Sequence, residues 1–331
     1  MLGHMPGGSS HDAVGAMTAG GVRRIGVVGG GYVGHGVALE FARAGFAVGM
    51  YNRAPDSSVR ALGEVEANLA AMVAAGTLSQ DEAGAARGRI EPSTDLARAV
   101  SGADYIVEAV AERLPLKQEI FGRLDALCPP STILTSTTST FLISQIVAGL
   151  AHPERTIAAH YYTPPPLIPV VEVAPGPRTS PRTLEVTLAL LRFVGKEPIV
   201  IRESAGHIGV RLMTALRREA IGIVERGIAT PEAVDTVIKH VARLIPILGV
   251  LELCDLSGLD VLLDVHGQLQ RALDAGPDPS PLLRQMVERG ELGIKTGRGF
   301  YEWSPEAIAR VRARRARELT RWIHERNTGT A

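Results

Sequence analysis

A glycine-rich turn near the start of the chain constrains the fold more than any other stretch of the sequence. A short apolar segment at 23–28 leads into Gly29, Gly31 and Gly34, which stand at Gly-x-Gly-x-x-Gly spacing. This spacing lets a strand turn sharply into a helix, allows a pyrophosphate to approach the backbone, and seats the helix close to the strand. A helical pattern follows at 37–44, so the helix N-terminus would face the anion. We predict a dinucleotide-binding site here, with a tight turn that binds no ligand as the alternative.

Length and charge narrow the classes of protein to which the chain can belong. Because a single hydrophobic core stops growing at about 250 to 300 residues, a chain of 331 residues favours two domains. The 35 basic and 35 acidic residues give a formal net charge of zero, which argues against nucleic-acid or anionic-membrane partners and favours a small-molecule substrate. No uncharged apolar run approaches the roughly 18 residues that a membrane helix needs.

The two cysteines indicate the compartment. Cys128 and Cys254 lie far apart and lack the spacing of metal ligands, which argues against a disulfide scaffold or a structural zinc. We therefore predict a cytoplasmic protein without a metal site. Residues 1–20 are rich in glycine, serine and histidine and lack the regions of a signal peptide, so we expect a disordered leader there.

Strands and helices alternate between 21 and 203, which is typical of a doubly wound α/β sheet. We therefore expect a Rossmann-type dinucleotide-binding domain over 21–203, with two additional helices inserted between 57 and 89. The predicted strands lie at 23–28, 47–51, near 90, and at 104–107, 132–135, 156–160, 170–173 and 198–201. The other predicted helices lie at 95–100, 116–127, near 141–147, and at 181–193.

The alternation ends at Ser204, and the remaining pattern is helical. Apolar residues recur at three- and four-residue spacing, and this predicts helices at 207–226, 231–242, 259–273, 281–289 and 304–326. We expect an all-helical C-terminal domain over 204–331.

The residues after the second strand bear on the choice of dinucleotide. In this kind of fold an acidic residue there binds the ribose 2′-hydroxyl of NAD, whereas an arginine accommodates the 2′-phosphate of NADP. This chain has Asn52 followed by Arg53, so we expect NADP rather than NAD, with Arg53 able to pair with the phosphate. The alternative is that Arg53 is a solvated loop residue.

A histidine and a glutamate lie on two consecutive predicted strands that are joined by a proline-rich loop. If these strands run antiparallel, His160 and Glu172 come within hydrogen-bonding reach. An imidazole that is oriented by a carboxylate can act as a general base. The alternative is a strand-end histidine beside a solvated glutamate.

The chain resembles the L-3-hydroxyacyl-CoA dehydrogenase family from Arg23 to Trp303. The resemblance rests on the segments 28–36, 103–112 with Lys117, 136–139 and 292–301, together with His160 and Glu172. It implies an NAD(P)-dependent oxidoreductase that transfers hydride between nicotinamide and a secondary alcohol or ketone of a 3-hydroxy or 3-oxo acyl substrate, or of a small hydroxy acid. It also implies a homodimer formed through the helical domain.

The resemblance assigns roles to individual residues. It implies that His160 takes the hydroxyl proton, that Glu172 orients the imidazole, and that Ser139 hydrogen-bonds the reacting oxygen. It places Glu112 and Lys117 near the nicotinamide end of the cofactor, with a helix-cap acid and a surface lysine as the alternatives.

Three departures from the family pattern concern the substrate. Val210 stands where the family has an asparagine that helps to hold substrate, His207 replaces an aromatic residue, and Thr163 replaces another asparagine. His207 lies three residues before Val210, so we expect both on one helix face and predict that His207 supplies the lost polar contact. The alternative is a hinge histidine.

The inserted helices carry few cations. In relatives this region contacts coenzyme A, but here it holds no lysine, and only Arg60, Arg87 and Arg89 could meet CoA phosphates. A free hydroxy or oxo acid therefore competes with acyl-CoA as the expected substrate.

Two other functions remain as alternatives. A 6-phosphogluconate-type β-hydroxyacid dehydrogenase would need a lysine base, but between Gly206 and the C-terminal signature the chain has only Lys239. A catalytically impaired cofactor-binding relative would fit Val210 but not the retention of Ser139, His160 and Glu172 together.

Overall fold

The computed structural model describes residues 20–328, without the side chains of 323, 324 and 326–328. The predicted leader at 1–20 therefore lies, apart from Gly20, outside the described residues. Two compact units divide the chain, one up to Val210 and one from Arg211. The domain boundary that the sequence predicts between 203 and 204 stays a prediction.

The first unit alternates strands and helices, as predicted. Its strands are β1 (Arg24–Val28), β2 (Ala47–Tyr51), β3 (Ile90–Ser93), β4 (Tyr105–Glu108), β5 (Ile133–Ser136), β6 (Thr156–Tyr161), β7 (Val170–Ala174) and β8 (Glu197–Val200). Its helices are α1 (Gly34–Arg43), α2 (Pro55–Ala74), α3 (Gln80–Gly88), α4 (Leu96–Val100), α5 (Leu114–Leu127), α6 (Ile143–Ile146) and α7 (Pro181–Phe193). Helix α8 (Ile208–Glu225) begins in this unit.

All eight strands form one sheet in the order β3-β2-β1-β4-β5-β6-β7-β8. Neighbouring strands are parallel except β6 and β7, which are antiparallel. The strand order reverses between β1 and β4, and open α/β sheets bind ligands at the carboxyl ends of the strands beside such a point. The predicted doubly wound fold is confirmed.

Alternate side chains of each strand enter two cores, one on each face of the sheet. Val27 packs with buried residues of α1, α2, α3 and α7, whereas its neighbour Val28 packs with those of α4, α5 and α6. Because both faces are covered, the central strands β4, β5 and β6 are buried along their whole length.

The glycine turn has the geometry that a dinucleotide site requires. Gly29 has a φ of 103°, which favours glycine and lets the chain turn. A Cβ added at Gly34 would lie 1.7 Å from the Gly29 carbonyl oxygen, whereas one added at Gly31 would meet no atom within 4 Å. The third glycine therefore permits close packing of α1 on the turn, and the second leaves open space for a pyrophosphate.

The second unit is helical, as predicted. It contains most of α8, followed by α9 (Pro231–Val241), α10 (Ile245–Leu248), α11 (Val250–Ser257), α12 (Leu259–Leu269), α13 (Pro281–Glu288) and α14 (Pro305–Thr328). Helices α10 and α11 were not predicted. They are short, and each meets Gly249, which has a φ of 73° and interrupts the helical pattern.

Alanine substitutions at two of the glycines should affect different properties, stability at Gly34 and cofactor affinity at Gly31. The Gly34→Ala methyl group clashes with the backbone, so we expect a loss of roughly 1–3 kcal/mol or more in the free energy of unfolding. Gly31→Ala should unfold like the wild type but bind nicotinamide dinucleotide more weakly, because its methyl group occupies the open space. Thermal unfolding and fluorescence titration with the reduced cofactor measure both effects. Unchanged affinity in Gly31→Ala would contradict this placement of the pyrophosphate.

Candidate active site

Antiparallel pairing of β6 and β7 brings the predicted histidine and glutamate together. His160 and Glu172 stand directly opposite each other in the register, and His160 Nδ1 lies 2.9 Å from Glu172 Oε2. Both residues are buried. The predicted pairing of His160 with Glu172 is therefore present.

Glu172 is held by three donors. Besides His160, the Tyr162 hydroxyl donates to Oε2 at 2.7 Å, and the Gly209 backbone N–H donates to Oε1 at 3.1 Å. Burial alone would raise the pKa of Glu172, but hydrogen bonds from His160, Tyr162 and Gly209 outweigh it and lower the pKa to about 2. Glu172 is consequently a carboxylate at any pH at which the protein would work.

His207 lies against the face of the His160 ring. The ring centroids are 5.0 Å apart with an interplanar angle of 19°, and His207 is only 2% exposed. Burial, and secondly the neighbouring His160, lower the pKa of His207. Within the described part of the chain its Nδ1 has no hydrogen-bond partner. His207 is therefore a neutral imidazole with an unused polar atom beside the candidate base.

The predicted start of this helix at His207 is wrong by one residue. Helix α8 begins at Ile208, so His207 precedes the helix, and helical spacing does not relate it to Val210. Val210 lies in the first turn of α8 and is partly buried.

His160, Glu172 and His207 also have the side-chain atoms of metal ligands within 4.8 Å of one another. The nitrogen lone pairs of an imidazole lie in the plane of its ring. Because the two rings are nearly parallel, their lone pairs do not converge, and one ring would have to turn before both could bind one ion. The arrangement favours stacked imidazoles over a metal centre.

A second polar cluster lies at the ends of β4 and β5. Lys117 is fully buried, and its Nζ lies 2.9 Å from Glu108 Oε1 and 3.1 Å from Glu112 Oε2. Glu108 also accepts a hydrogen bond from the Ser136 hydroxyl at 2.6 Å. The alternative of a surface lysine is wrong, because both carboxylates enclose the ammonium group.

Glu112 organises the turn that contains Ser139. Its Oε1 accepts hydrogen bonds from the Ser139 N–H at 2.9 Å and from the hydroxyls of Thr138 and Thr140. Strands β5 and β6 are parallel neighbours, so the residues that follow them emerge at the same edge of the sheet. Ser139 follows β5 and His160 lies near the end of β6, which places both at the edge where the glycine turn lies.

The end of β2 differs from the ribose site that we expected. Asn52 is buried, and its Oδ1 accepts a hydrogen bond from the Gly30 N–H at 2.9 Å, so this side chain braces the glycine turn. Arg53 is exposed and forms no hydrogen bond or ion pair with the rest of residues 20–328. Asn52 stands at the position where a carboxylate usually binds the ribose hydroxyls.

The arginines of the inserted helices already have partners. Arg60 donates to the Ser57 hydroxyl, Arg87 pairs with Glu66 at 2.9 Å, and Arg89 donates to the Ala42 carbonyl oxygen. A phosphate would have to compete with these groups.

Sequence reasoning missed Tyr162, Gly209 and Glu108. A signal existed for Tyr162, because it directly follows β6 and stands two residues after His160, a spacing that puts extended residues on one face; the two ring centroids lie 4.7 Å apart. A signal also existed for Glu108, an acidic residue that ends an apolar strand. Gly209 acts through its backbone N–H, which side-chain identity does not predict.

Comparison with protein-family models assigns both parts of the chain. A model of the 3-hydroxyacyl-CoA dehydrogenase, NAD binding domain, matches residues 24–204. A model of the 3-hydroxyacyl-CoA dehydrogenase, C-terminal domain, matches residues 206–303. These matches do not support the 6-phosphogluconate-type alternative, and they name NAD, so the expectation of NADP has no support from them.

Individual relatives divide between two substrate classes. The chain is 33% identical over 300 residues to 5-formyl-3-hydroxy-2-methylpyridine 4-carboxylate 5-dehydrogenase of Mesorhizobium japonicum, covering 90% of this chain and 96% of the relative. It is 37% identical over 283 residues to a probable 3-hydroxybutyryl-CoA dehydrogenase of Bacillus subtilis, covering 85% and 98%.

Solved structures show the same division. A crystal structure of the pyridine-carboxylate dehydrogenase, described as an NAD+-dependent dismutase, has a TM-score of 0.85 at 32% identity and covers 94% of this chain and 100% of its own. A structure of (S)-3-hydroxybutyryl-CoA dehydrogenase from Ralstonia eutropha has a TM-score of 0.71 at 30% identity, covering 86% and 99%. Among the described residues, no helix has the length and apolar character to span a membrane.

Acid should destabilise the wild type more than a His207→Phe variant. His207 has a lowered pKa relative to the usual 6.5, so the unfolded chain takes up a proton at this position before the folded protein does. The resulting stability is present above about pH 6.5 and is lost as the pH falls further. Phenylalanine removes this proton uptake and keeps a ring against His160.

Urea unfolding at about pH 7.5 and 5.5 measures the difference. His240→Gln is the control, because His240 is exposed on α9, and this variant should keep the pH dependence of the wild type. If His207→Phe kept it as well, His207 would titrate normally in the folded protein.

Proposed function

We infer the reaction from the premise that this chain belongs to the 3-hydroxyacyl-CoA dehydrogenase family, and is thus an NAD-dependent oxidoreductase that acts on a CH–OH group. The observation that carries the finer proposal is the buried pair of His160 and Glu172, whose facing atoms are 2.9 Å apart. We propose that this pair performs the proton transfer of the reaction.

His160 acts as the general base when the alcohol is oxidised. Its Nδ1–H donates to ionised Glu172, which fixes the tautomer and leaves Nε2 free to accept the hydroxyl proton. Glu172 stays ionised because its pKa is lowered to about 2, so it stabilises the imidazolium that forms. In the reverse direction the imidazolium returns this proton to the oxygen.

Ser139 holds the reacting oxygen. Its backbone is fixed by Glu112, and its hydroxyl would donate a hydrogen bond to the substrate oxygen beside His160. The bound nicotinamide supplies the hydride acceptor. The open space at Gly31 and the bracing of the turn by Asn52 fit the pyrophosphate of this cofactor.

The cofactor that we propose is NAD. The sequence-based expectation of NADP rests on Arg53 alone, since Asn52 is turned inward to Gly30. An exposed Arg53 could pair with a 2′-phosphate, and the neutral Asn52 would not repel this phosphate. We propose that NAD is preferred and that NADP is accepted at lower efficiency.

The substrate that we propose is a compact hydroxy or oxo acid rather than an acyl-CoA. The arginines of α2, α3 and the residue after α3 have internal partners, and this region has no lysine. The pyridine-carboxylate dehydrogenase that resembles this chain acts on a compact acid. We also propose that His207 contacts a polar group of the substrate in place of the asparagine lost at Val210; its Nδ1 is buried and has no partner among the described residues, so the ring would have to turn to make this contact.

Acyl-CoA remains the second candidate, because similar proteins from Bacillus subtilis and other bacteria are named 3-hydroxybutyryl-CoA dehydrogenases. The retained contact between His160 and Glu172 argues against a catalytically impaired relative. Cys128 and Cys254 are free thiols, which is consistent with the cytoplasmic location that we propose.

We also propose that the second unit forms a homodimer. In the described side chains of 211–322 and 325, only Gly222 and Met286 are buried, so the helices of this unit lack a core of their own. Large apolar side chains on α11 and α12 are exposed, namely Leu251, Leu256, Leu259, Val261, Leu263 and Leu269. A second copy presents the same apolar surface, and two such surfaces can cover each other about a twofold axis.

Kinetic assays at 340 nm test the proposed reaction. We expect a higher kcat/KM for compact hydroxy or oxo acids than for acetoacetyl-CoA, by about tenfold or more, and a higher value with NAD than with NADP. Removing the base in His160→Gln should lower kcat by about 100- to 10,000-fold with cofactor affinity unchanged. Full activity of His160→Gln would overturn the mechanism, and a preference for acyl-CoA would overturn the substrate class.

Sedimentation analysis tests the dimer. At micromolar concentration the wild type should sediment as a dimer, because apolar surface of this extent is unfavourable in water. Leu263→Lys puts a charge on the exposed face of α12, where Leu263 is 73% exposed, and should weaken the association. Leu127→Lys in the first unit, also exposed, is the matched control and should remain dimeric. A monomeric wild type would contradict the proposal.

A further inference from the structure

We propose that Glu112 is a positioning residue that acts through Ser139 and that Lys117 holds Glu112 in place. The inference rests on the proposed function, in which the Ser139 hydroxyl bonds the reacting oxygen. It assigns the buried charge cluster at the ends of β4 and β5 to substrate activation rather than to stability alone.

One oxygen of Glu112 accepts four hydrogen bonds from the turn that follows β5. Oε1 accepts hydrogen bonds from the Thr138 hydroxyl at 2.6 Å, from the Ser139 N–H at 2.9 Å, and from the Thr140 N–H and hydroxyl at 3.1 and 2.9 Å. The Thr138 hydroxyl in turn accepts from the Phe141 N–H at 3.0 Å. These bonds fix the backbone on both sides of Ser139.

The other oxygen of Glu112 is held by a buried ion pair. Oε2 lies 3.1 Å from Lys117 Nζ, and Lys117 is anchored by both carboxylate oxygens of Glu108 at 2.9 and 3.0 Å. Lys117 and Glu108 are fully buried, so neither side chain can move out into solvent. Glu112 therefore links a rigid buried ion pair to a surface turn.

Ser139 is left with a free functional group. Its backbone N–H is used by Glu112, but within residues 20–328 its hydroxyl forms no hydrogen bond, and the residue is partly exposed. A hydroxyl that is held by its backbone and has no internal partner is ready to bond a ligand. Its position, and hence the strength of that bond, depends on the four bonds to Glu112.

Glu112 carries charge that Lys117 does not fully balance. One ammonium group faces two carboxylates. Burial would raise the pKa of Glu112, but the charge of Lys117 and hydrogen bonds with Thr138, Lys117 and the Ser139 N–H outweigh it and lower the pKa. Glu112 is therefore ionised and accepts strong bonds from all four donors. In Glu112→Gln the amide must turn its NH2 group either toward Lys117 or toward the turn, and in both cases two donors face each other.

A double-mutant cycle tests the inference. We expect Ser139→Ala to lower kcat/KM about 100-fold and Glu112→Gln to lower it about tenfold. In the Ser139→Ala background, Glu112→Gln should lower kcat/KM no further than about twofold, because there is no hydroxyl left to position. The dissociation constant of the reduced cofactor, measured by fluorescence titration without substrate, should change by a smaller factor than kcat/KM does in each form.

Two further variants complete the experiment. Glu119→Gln removes an exposed carboxylate of α5 that lies 3.9 Å from Arg123, and it should behave like the wild type. Thr140→Val deletes one donor to Glu112 and keeps the charge, so it should give a smaller loss that also vanishes in Ser139→Ala. It provides the test if Glu112→Gln does not fold.

The outcomes separate the inference from the proposed function. Equal losses from Glu112→Gln in both backgrounds would overturn the inference alone, because Glu112 would then act independently of Ser139. A weakening of cofactor binding as large as the loss of kcat/KM would also overturn it, since Glu112 would contact the cofactor. Unchanged activity of Ser139→Ala would overturn the proposed role of Ser139, and this inference with it.

Discussion

The reversal of direction between β6 and β7 is the constraint on which the candidate active site depends. Six of the seven neighbouring strand pairs in the sheet are parallel, but β6 and β7 are antiparallel and are connected by the short proline-rich loop at 163–169. Antiparallel pairing sets residues directly opposite one another, and a slip of one residue would move a side chain to the other face. The register that faces His160 with Glu172 is therefore fixed by the two apolar cores that hold both strands.

The regular part of the fold could be predicted because it depends on local pattern. Helix α2 has clear apolar periodicity, and the start of α3 is marked by the Ser79 capping box with Glu82. Helices α10 and α11 were missed, because a helix of four or eight residues beside Gly249 has too few turns for a periodic signal.

The polar contacts of the site could be predicted only in part, because they join residues that are distant in sequence. The pair of His160 and Glu172 was predictable from two strands and a loop. By contrast, the bond from Gly209 to Glu172 depends on where α8 begins, and a one-residue shift of that start removed the expected relation of His207 to Val210. The alternative that Lys117 is a surface lysine stayed open at the level of sequence, since nothing in its local sequence shows that two carboxylates enclose it.

The two charged centres of the first unit solve one physical problem in different ways. A buried carboxylate is costly unless it is paired and hydrogen-bonded. Glu172 accepts hydrogen bonds from three neutral or weakly basic donors, so in the mechanism that we propose a positive partner would form only when His160 takes up a proton. Glu108 and Glu112 instead share the ammonium group of Lys117. The first arrangement is suited to a charge that appears and disappears, and the second to a turn whose geometry must stay constant while it does.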